Sequence, residues 1–66
     1  MKQYKIECCI GNKKAKVKFA NTREQAETEF DKFLNIKTKG EIAVFLLKNV
    51  FEDSYKVDKH QIKINS

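Results

Sequence analysis

The sequence contains no proline and no tryptophan, and it offers few residues that could brace a small fold. Its only cysteines, Cys8 and Cys9, are adjacent. Neighbouring residues of a strand point to opposite faces, so these two cannot form a disulfide with each other without strain. Together with the single histidine, His60, they do not provide the four spaced ligands of a structural zinc site. We therefore expect no metal, no cofactor and a single domain over residues 1–66.

Long apolar runs are also missing. The longest one, residues 42–47, is far shorter than a membrane span. The first residues are not followed by an apolar stretch with a small-residue cleavage site, which a secretory signal would require. Two cysteines without such a signal favour a reducing compartment. From these features we expect a soluble, cytoplasmic protein.

Arginine is scarce, although the chain is basic. The formal net charge is +5, and all but one of the fourteen basic residues are lysines, the exception being Arg23. A basic balance suggests a nucleic-acid or acidic partner. Arginine is the preferred group for bidentate contacts with phosphate and guanine, so lysines alone indicate specific recognition only weakly. An AT-rich coding sequence explains the same composition equally well.

Residues for catalysis are few. A nucleophile needs a base within hydrogen-bonding reach, and the sequence offers only Cys9 and His60 for such a pair. It contains no glycine-rich phosphate loop, no paired catalytic carboxylates and no metal motif. A chain of this length also has little room for a concave pocket. We therefore expect a protein that is not an enzyme, with its cysteines acting as ordinary sheet residues.

What the sequence does contain is clear periodicity, beginning with a β-hairpin. Residues 2–10 alternate between apolar and polar side chains, and the alternation resumes after Gly11 and Asn12. A two-residue turn between alternating runs is typical of a hairpin. Regular pairing around it predicts one apolar face, with Tyr4 opposite Phe19, Ile6 opposite Val17 and Cys8 opposite Ala15. The same pairing predicts a row of lysines on the other face: Lys5, Lys14, Lys16 and Lys18.

A helix is predicted after the hairpin. Thr22 followed by Gln25 matches the capping-box pattern of a helix start. The apolar face of the helix comprises Ala26, Phe30, Phe33 and Leu34, and Lys37 continues the same face. We expect the helix to run for about four turns and to end at residues 37–40, where basic side chains meet the negative end of the helix dipole.

The last third of the chain predicts two more strands. Residues 41–51 are apolar on both faces, which is typical of a strand inside a sheet, and residues 52–54 predict a turn. Tyr55 and Val57 occupy odd positions, whereas Ile62 and Ile64 occupy even ones. Because odd and even positions of a regular strand point to opposite faces, the last strand needs a bulge near residues 58–60 to bring all four to one face. The element order β-β-α-β-β predicts a small α+β fold, an antiparallel sheet with one helix packed on one face.

Two surfaces are candidates for function. The second face of the third strand, extended by the last strand, is expected to be more apolar than a small monomer should expose. Its residues are Ala43, Phe45, Leu47, Ile62 and Ile64. A second copy in a homodimer or another protein could cover it, or the C-terminal segment could fold back over it. We therefore predict a non-catalytic, protein-binding module. The size and lysine-rich composition also suggest an accessory protein of a phage or mobile element.

Nucleic-acid binding is the alternative function. Lys5, Lys14, Lys16 and Lys18 around Phe45 resemble the combination of cations and stacking aromatics that binds single strands. The same lysines are also typical of a solvated sheet face that resists aggregation. With one aromatic residue and no arginine on that face, the solvated interpretation is favoured. We expect neither a membrane nor a small-molecule substrate as partner.

Overall fold

The computed structural model describes residues 2–52 and 54–65. It contains strands β1 (Tyr4–Ile10) and β2 (Lys13–Ala20), helix α1 (Arg23–Leu34), and strands β3 (Gly40–Phe51) and β4 (Ser54–Asn65). The strands form one antiparallel sheet in the order β2-β1-β3-β4, and α1 packs on one of its faces. The predicted α+β fold is confirmed. Asp53, in the middle of the predicted turn, lies outside the described residues.

The core lies between α1 and the sheet. β3 is an interior strand, as predicted, because it pairs with β1 on one side and β4 on the other. Alternate residues of β1 and β3 point toward α1, and those in the middle of each strand lose all contact with water. The helix contributes residues spaced by three or four positions. The buried residues are Ile6, Cys8, Ala20, Ala26, Phe30, Phe33, Ile42, Val44 and Leu46.

The start of α1 matches its sequence signal. Thr22 is the N-cap, and its Oγ1 accepts a hydrogen bond from the backbone N–H of Gln25 at 3.1 Å. The Gln25 side chain returns to the backbone N–H of Asn21, one residue before the N-cap, at 3.3 Å. Both bonds satisfy amides that the helix itself leaves without a partner.

The end of α1 differs from the prediction, because the helix stops at Leu34 and Lys37 lies beyond it. The side-chain amide of Asn35 donates to the Asp31 carbonyl at 2.9 Å, which gives this carbonyl a partner outside the regular ladder. The next amide, that of Ile36, bonds to the Phe33 carbonyl at 3.3 Å in a tighter turn. Ile36 then packs against the core, so the chain gains an apolar contact by leaving the helix early.

The hairpin forms, but its predicted register is wrong. Ile10 pairs with Lys13 around the two-residue turn, and the register then shifts so that Cys8 pairs with Lys16 and leaves Ala15 without a partner. Every later residue of β2 is displaced by one position relative to regular pairing. Because side chains alternate between faces, this single bulge exchanges the two faces of β2.

The bulge separates the predicted row of lysines. Lys5 and Lys14 point away from the helix, whereas Lys16 and Lys18 lie on the helix side, paired with Cys8 and Ile6. Lys18 reaches α1, where its Nζ lies 3.3 Å from a carboxylate oxygen of Glu29. The prediction placed Val17 and Phe19 under the helix, but the bulge places them on the side away from it, where they find apolar neighbours on β3 and β4.

A second bulge occurs in β4 where parity predicted it. Lys59 pairs with Leu46 and Val57 pairs with Leu47, which leaves Asp58 without a partner. Two consecutive side chains can therefore reach the helix: Asp58 contacts Arg23, and the Nζ of Lys59 lies 2.5 Å from the Oε1 of Glu27. The hydrogen bond from Arg23 to Asp58 raises the pKa of the guanidinium. These contacts hold the outer strand against the helix.

The position of Lys18 predicts a measurable titration. Burial alone would raise the pKa of Glu29, but the hydrogen bonds and charges of Lys18 and Lys32 outweigh it and hold this pKa below its ordinary value of 4.5. We expect Lys18→Met to raise the pKa of Glu29 in an NMR titration of its carboxyl carbon. Lys14→Met, on the opposite face, is the control and should leave that pKa unchanged.

The sign of the corresponding pH effect follows from linkage. Because folding lowers the pKa of Glu29, its stabilising contribution is complete above pH 4.5 and is lost as the pH falls through the lower folded-state pKa. Lys18→Met should weaken this acid-dependent loss. An unchanged Glu29 pKa in Lys18→Met would contradict the placement of Lys18 on the helix side.

Candidate protein-binding surface

The sheet surface that faces away from α1, here called the open face, receives side chains from all four strands. Residues paired directly across strands share a face, so the pairing identifies its members. Charged or polar members are Lys5, Glu7, Cys9, Lys14, Glu41, Asn49 and His60; apolar or aromatic members are Val17, Phe19, Ala43, Phe45, Leu47, Tyr55, Val57, Ile62 and Ile64. The five residues predicted as a protein interface all lie on this face, and the structure adds further apolar residues from β2 and β4.

Much of the open face is exposed. Within residues 2–52 and 54–65, no helix or strand lies over it. The C-terminal segment, which could have folded back as a cover, forms β4 at the edge of the same sheet. Its Ile62 is 55% exposed and therefore widens the apolar surface. The large exposed apolar side chains on this face are Val17, Phe19, Val57, Ile62 and Ile64.

An aromatic pair occupies the centre of the open face. Phe45, halfway along β3, stacks on His60 of β4 with ring centroids 5.8 Å apart and an interplanar angle of 23°. Phe45 is only partly buried, since its own chain covers one side of the ring. A partly exposed aromatic ring is typical of the centre of a protein interface.

One end of the open face is partly covered from within. The rings of Phe19 and Tyr55 reach toward each other across the two central strands, with centroids 6.2 Å apart. The Nζ of Lys5 lies 6.0 Å from the Phe19 centroid and 5.8 Å from the Tyr55 centroid. The Tyr55 hydroxyl donates to the Lys2 carbonyl at 3.0 Å. This group holds two aromatic rings in place at one end of the face, where the Phe19 ring stays 50% exposed.

The charges of the open face are largely paired with one another. The carboxylate of Glu7 lies 3.6 Å from the Nζ of Lys5 and 3.3 Å from the Nζ of Lys14. Exposed ion pairs of this kind contribute little stability. Their effect here is to reduce the positive charge that these two lysines offer to a ligand.

The two residues considered for catalysis are not directly opposite each other. Cys9 pairs with Ala43, whereas His60 pairs with Phe45 on the other side of β3. The neighbouring Cys8 is buried in the core, and burial, assisted by the nearby Cys9 and opposed by Lys16, raises the pKa of its thiol. In the described part of the chain, no group of three potential metal-ligating side chains comes together.

Comparisons with known proteins identify no relative. The chain matches no family model, no curated protein and no solved structure. Among the residues that the structure describes, no helix is long and apolar enough to cross a membrane.

Sequence reasoning missed five residues of the open face: Val17, Phe19, Tyr55, Val57 and His60. Val17 and Phe19 were assigned to the core because nothing in the local pattern indicates the bulge at Ala15. The other three could have been assigned, since the parity change in β4 places Tyr55 and Val57 on the same face as Ile62 once a bulge intervenes.

Proposed function

We propose that this chain is a non-catalytic protein-binding module and that the open face is its binding surface. The observation that supports the proposal is a group of exposed apolar side chains on β2 and β4, together with partly buried apolar residues of β3, on a sheet face with no described element over it. Patches of this kind on small proteins mark interaction sites. Two free thiols, one of them on this face, suit a reducing compartment such as the cytoplasm as the place of action.

The energetics favour an occupied open face. Each Å² of apolar surface removed from water contributes about 25 cal/mol, although association also costs translational, rotational and side-chain entropy. Phe45 and His60 form a stacked centre, and the aliphatic residues around them would exclude water from it. Such an arrangement concentrates binding energy in a few central residues.

Nucleic-acid binding is less well supported by the same geometry. A platform for single strands needs aromatic rings and free cations on one surface. Lys16 and Lys18 lie on the helix side of the sheet. Lys5 and Lys14 remain on the open face, but both lie beside Glu7. The face thus has the rings for stacking and little of the positive charge that phosphates require.

Photo-cross-linking in cells of the native host tests the proposal. A benzoylphenylalanine replaces Ile62 on the open face in one variant and Asp31 on the exposed side of α1 in the other. We expect protein adducts from position 62 and few from position 31, because only the first lies on the apolar surface. Digestion with nuclease should leave the mass of these adducts unchanged.

Two outcomes would contradict the proposal. Equal adduct yields at positions 62 and 31 would mean that the open face is not the preferred surface. Adducts that nuclease removes would instead support nucleic-acid binding, as would binding of an oligonucleotide by the purified chain that weakens steeply with added salt.

A further inference from the structure

We propose that the occupant of the open face is a second copy of this chain, so that two sheets pack face to face with both helices outside. This inference rests on the proposed function, because it names the partner of the same surface. A two-fold axis lying between the sheets would relate the copies, and each residue would meet the same set of residues from its partner.

The distribution of charge argues for association through the face and against association through the edges. The outer strand β2 carries Lys13 and Lys16, and the outer strand β4 carries Lys56 and Lys63, in addition to Lys18 and Lys59, which already lie beside Glu29 and Glu27. Pairing two copies edge to edge would bring several of these lysines together, which disfavours an extended sheet. The lysines thus restrict where self-association can occur.

Packing two open faces together does not bring unpaired lysines of the two copies into contact in this way. The two lysines of the open face, Lys5 and Lys14, flank Glu7 on the same face, so each copy brings a nearly balanced surface. A balanced apolar surface does not need a strongly charged partner. It is compatible with itself, which is the condition for a two-fold interface.

The size of the face approaches what a stable dimer needs. The two longest extents of the protein are 38 and 21 Å. They limit the footprint of the sheet to at most about 800 Å², and each partner buries about that area in a standard interface. Face-to-face sheets pack about 10 Å apart with their strands within about 30° of each other. At that distance, the Phe45 and His60 rings of the two copies would meet near the axis.

A second copy would also enlarge a small core, because it would bury the apolar side chains on the other face of the sheet. Among the described residues, the buried apolar side chains lie between the helix and one side of the sheet. The open face would become the other side of a shared core. Part of the stability of the fold would then depend on protein concentration.

Sedimentation and NMR of the purified chain test the inference. We expect a reversible monomer–dimer equilibrium below about 1 mM, the range in which a specific interface is detectable. In an equal mixture of isotope-labelled and unlabelled chains, isotope-filtered spectra should show intermolecular contacts between open-face side chains, with Phe45, Val57 and Ile62 among them.

Charge variants locate the interface. Ile62→Glu should weaken dimerisation by at least about 30-fold, the effect of losing a central contact. Phe45→Glu should abolish it. Gln61→Glu is the matched control: it adds the same charge to the same strand, but its residue pairs with Val44 on the helix side. We expect Gln61→Glu to leave dimerisation unchanged. Because Ile62 is exposed in the single chain, its variant tests association even if Phe45→Glu does not fold.

The outcomes separate failure of this inference from failure of the proposed function. If the chain stays monomeric at every concentration while position 62 still cross-links to another protein in cells, the inferred dimer is contradicted and the proposed function stands. A dimer whose intermolecular contacts lie at the strand edges, or one weakened equally by Gln61→Glu, overturns this inference. If position 62 also yields no preferential protein adducts, the proposed function fails with it.

Discussion

Phe30→Ala is expected to unfold the protein or leave it barely folded. Phe30 is 2% exposed and packs between α1 and the sheet, with the Nζ of Lys59 4.5 Å from its ring centroid. Truncating a buried phenylalanine costs about 3–5 kcal/mol, because the cavity that remains closes only in part. A chain of this size has only a few kcal/mol of net stability. Urea denaturation followed by circular dichroism measures the loss of free energy of unfolding.

Phe33→Ala should have a similar effect, since Phe33 is 4% exposed on the same face of the helix. Lys32→Ala, on the exposed side of α1, is the control and should change the free energy of unfolding by less than about 0.5 kcal/mol. All variants need to be compared at one protein concentration, because association adds to apparent stability. A loss below about 1 kcal/mol for both phenylalanine variants would mean that the other helix face points inward.

Ala20→Lys should destabilise the protein by about 2–3 kcal/mol, because it forces a long charged chain into a closely packed site. Ala20 is 4% exposed at the end of β2 and belongs to the core. It also lies two residues before the N-cap of α1, so the new ammonium group would meet the positive end of the helix dipole. Thermal and urea denaturation measure the effect.

This substitution also decides between the two registers of the hairpin. Regular pairing places Ala20 on the outer face with the lysines, where Ala20→Lys would be harmless. The bulged register places it under the helix. Ala15→Lys is the matched control, since Ala15 is the exposed residue of the bulge, and it should change stability by less than about 0.5 kcal/mol. Equal effects at positions 15 and 20 would contradict the bulged register.

Several features of the fold could be read from local sequence. The capping pattern at Thr22 and Gln25 marked the start of the helix, and the two-sided apolar pattern of residues 41–51 marked an interior strand. The bulge at Asp58 was predictable because the apolar parity changes within one strand. In each case the signal and its cause lie within a few residues of each other, so no knowledge of distant contacts was needed.

The composition of the open face could not be read in the same way. Periodicity assigns Val17 and Phe19 to an apolar side of β2, but it does not say whether that side meets the helix or the opposite surface. The answer depended on Tyr55, which gives Phe19 an aromatic neighbour, and on Glu29, which gives Lys18 a carboxylate on the helix side. Both partners are distant in sequence or belong to another element.

The sequence by itself thus determined the order and type of the elements, the helix face that enters the core and the apolar character of β3. Only the tertiary structure decided the register of β2, the early end of α1 and the separation of Lys5 and Lys14 from Lys16 and Lys18. The physical reason is the same in all three cases. Shifting a strand by one residue or ending a helix one turn early costs little locally. Contacts with distant residues such as Glu29 and the core around Ile36 therefore select among nearly equal local conformations.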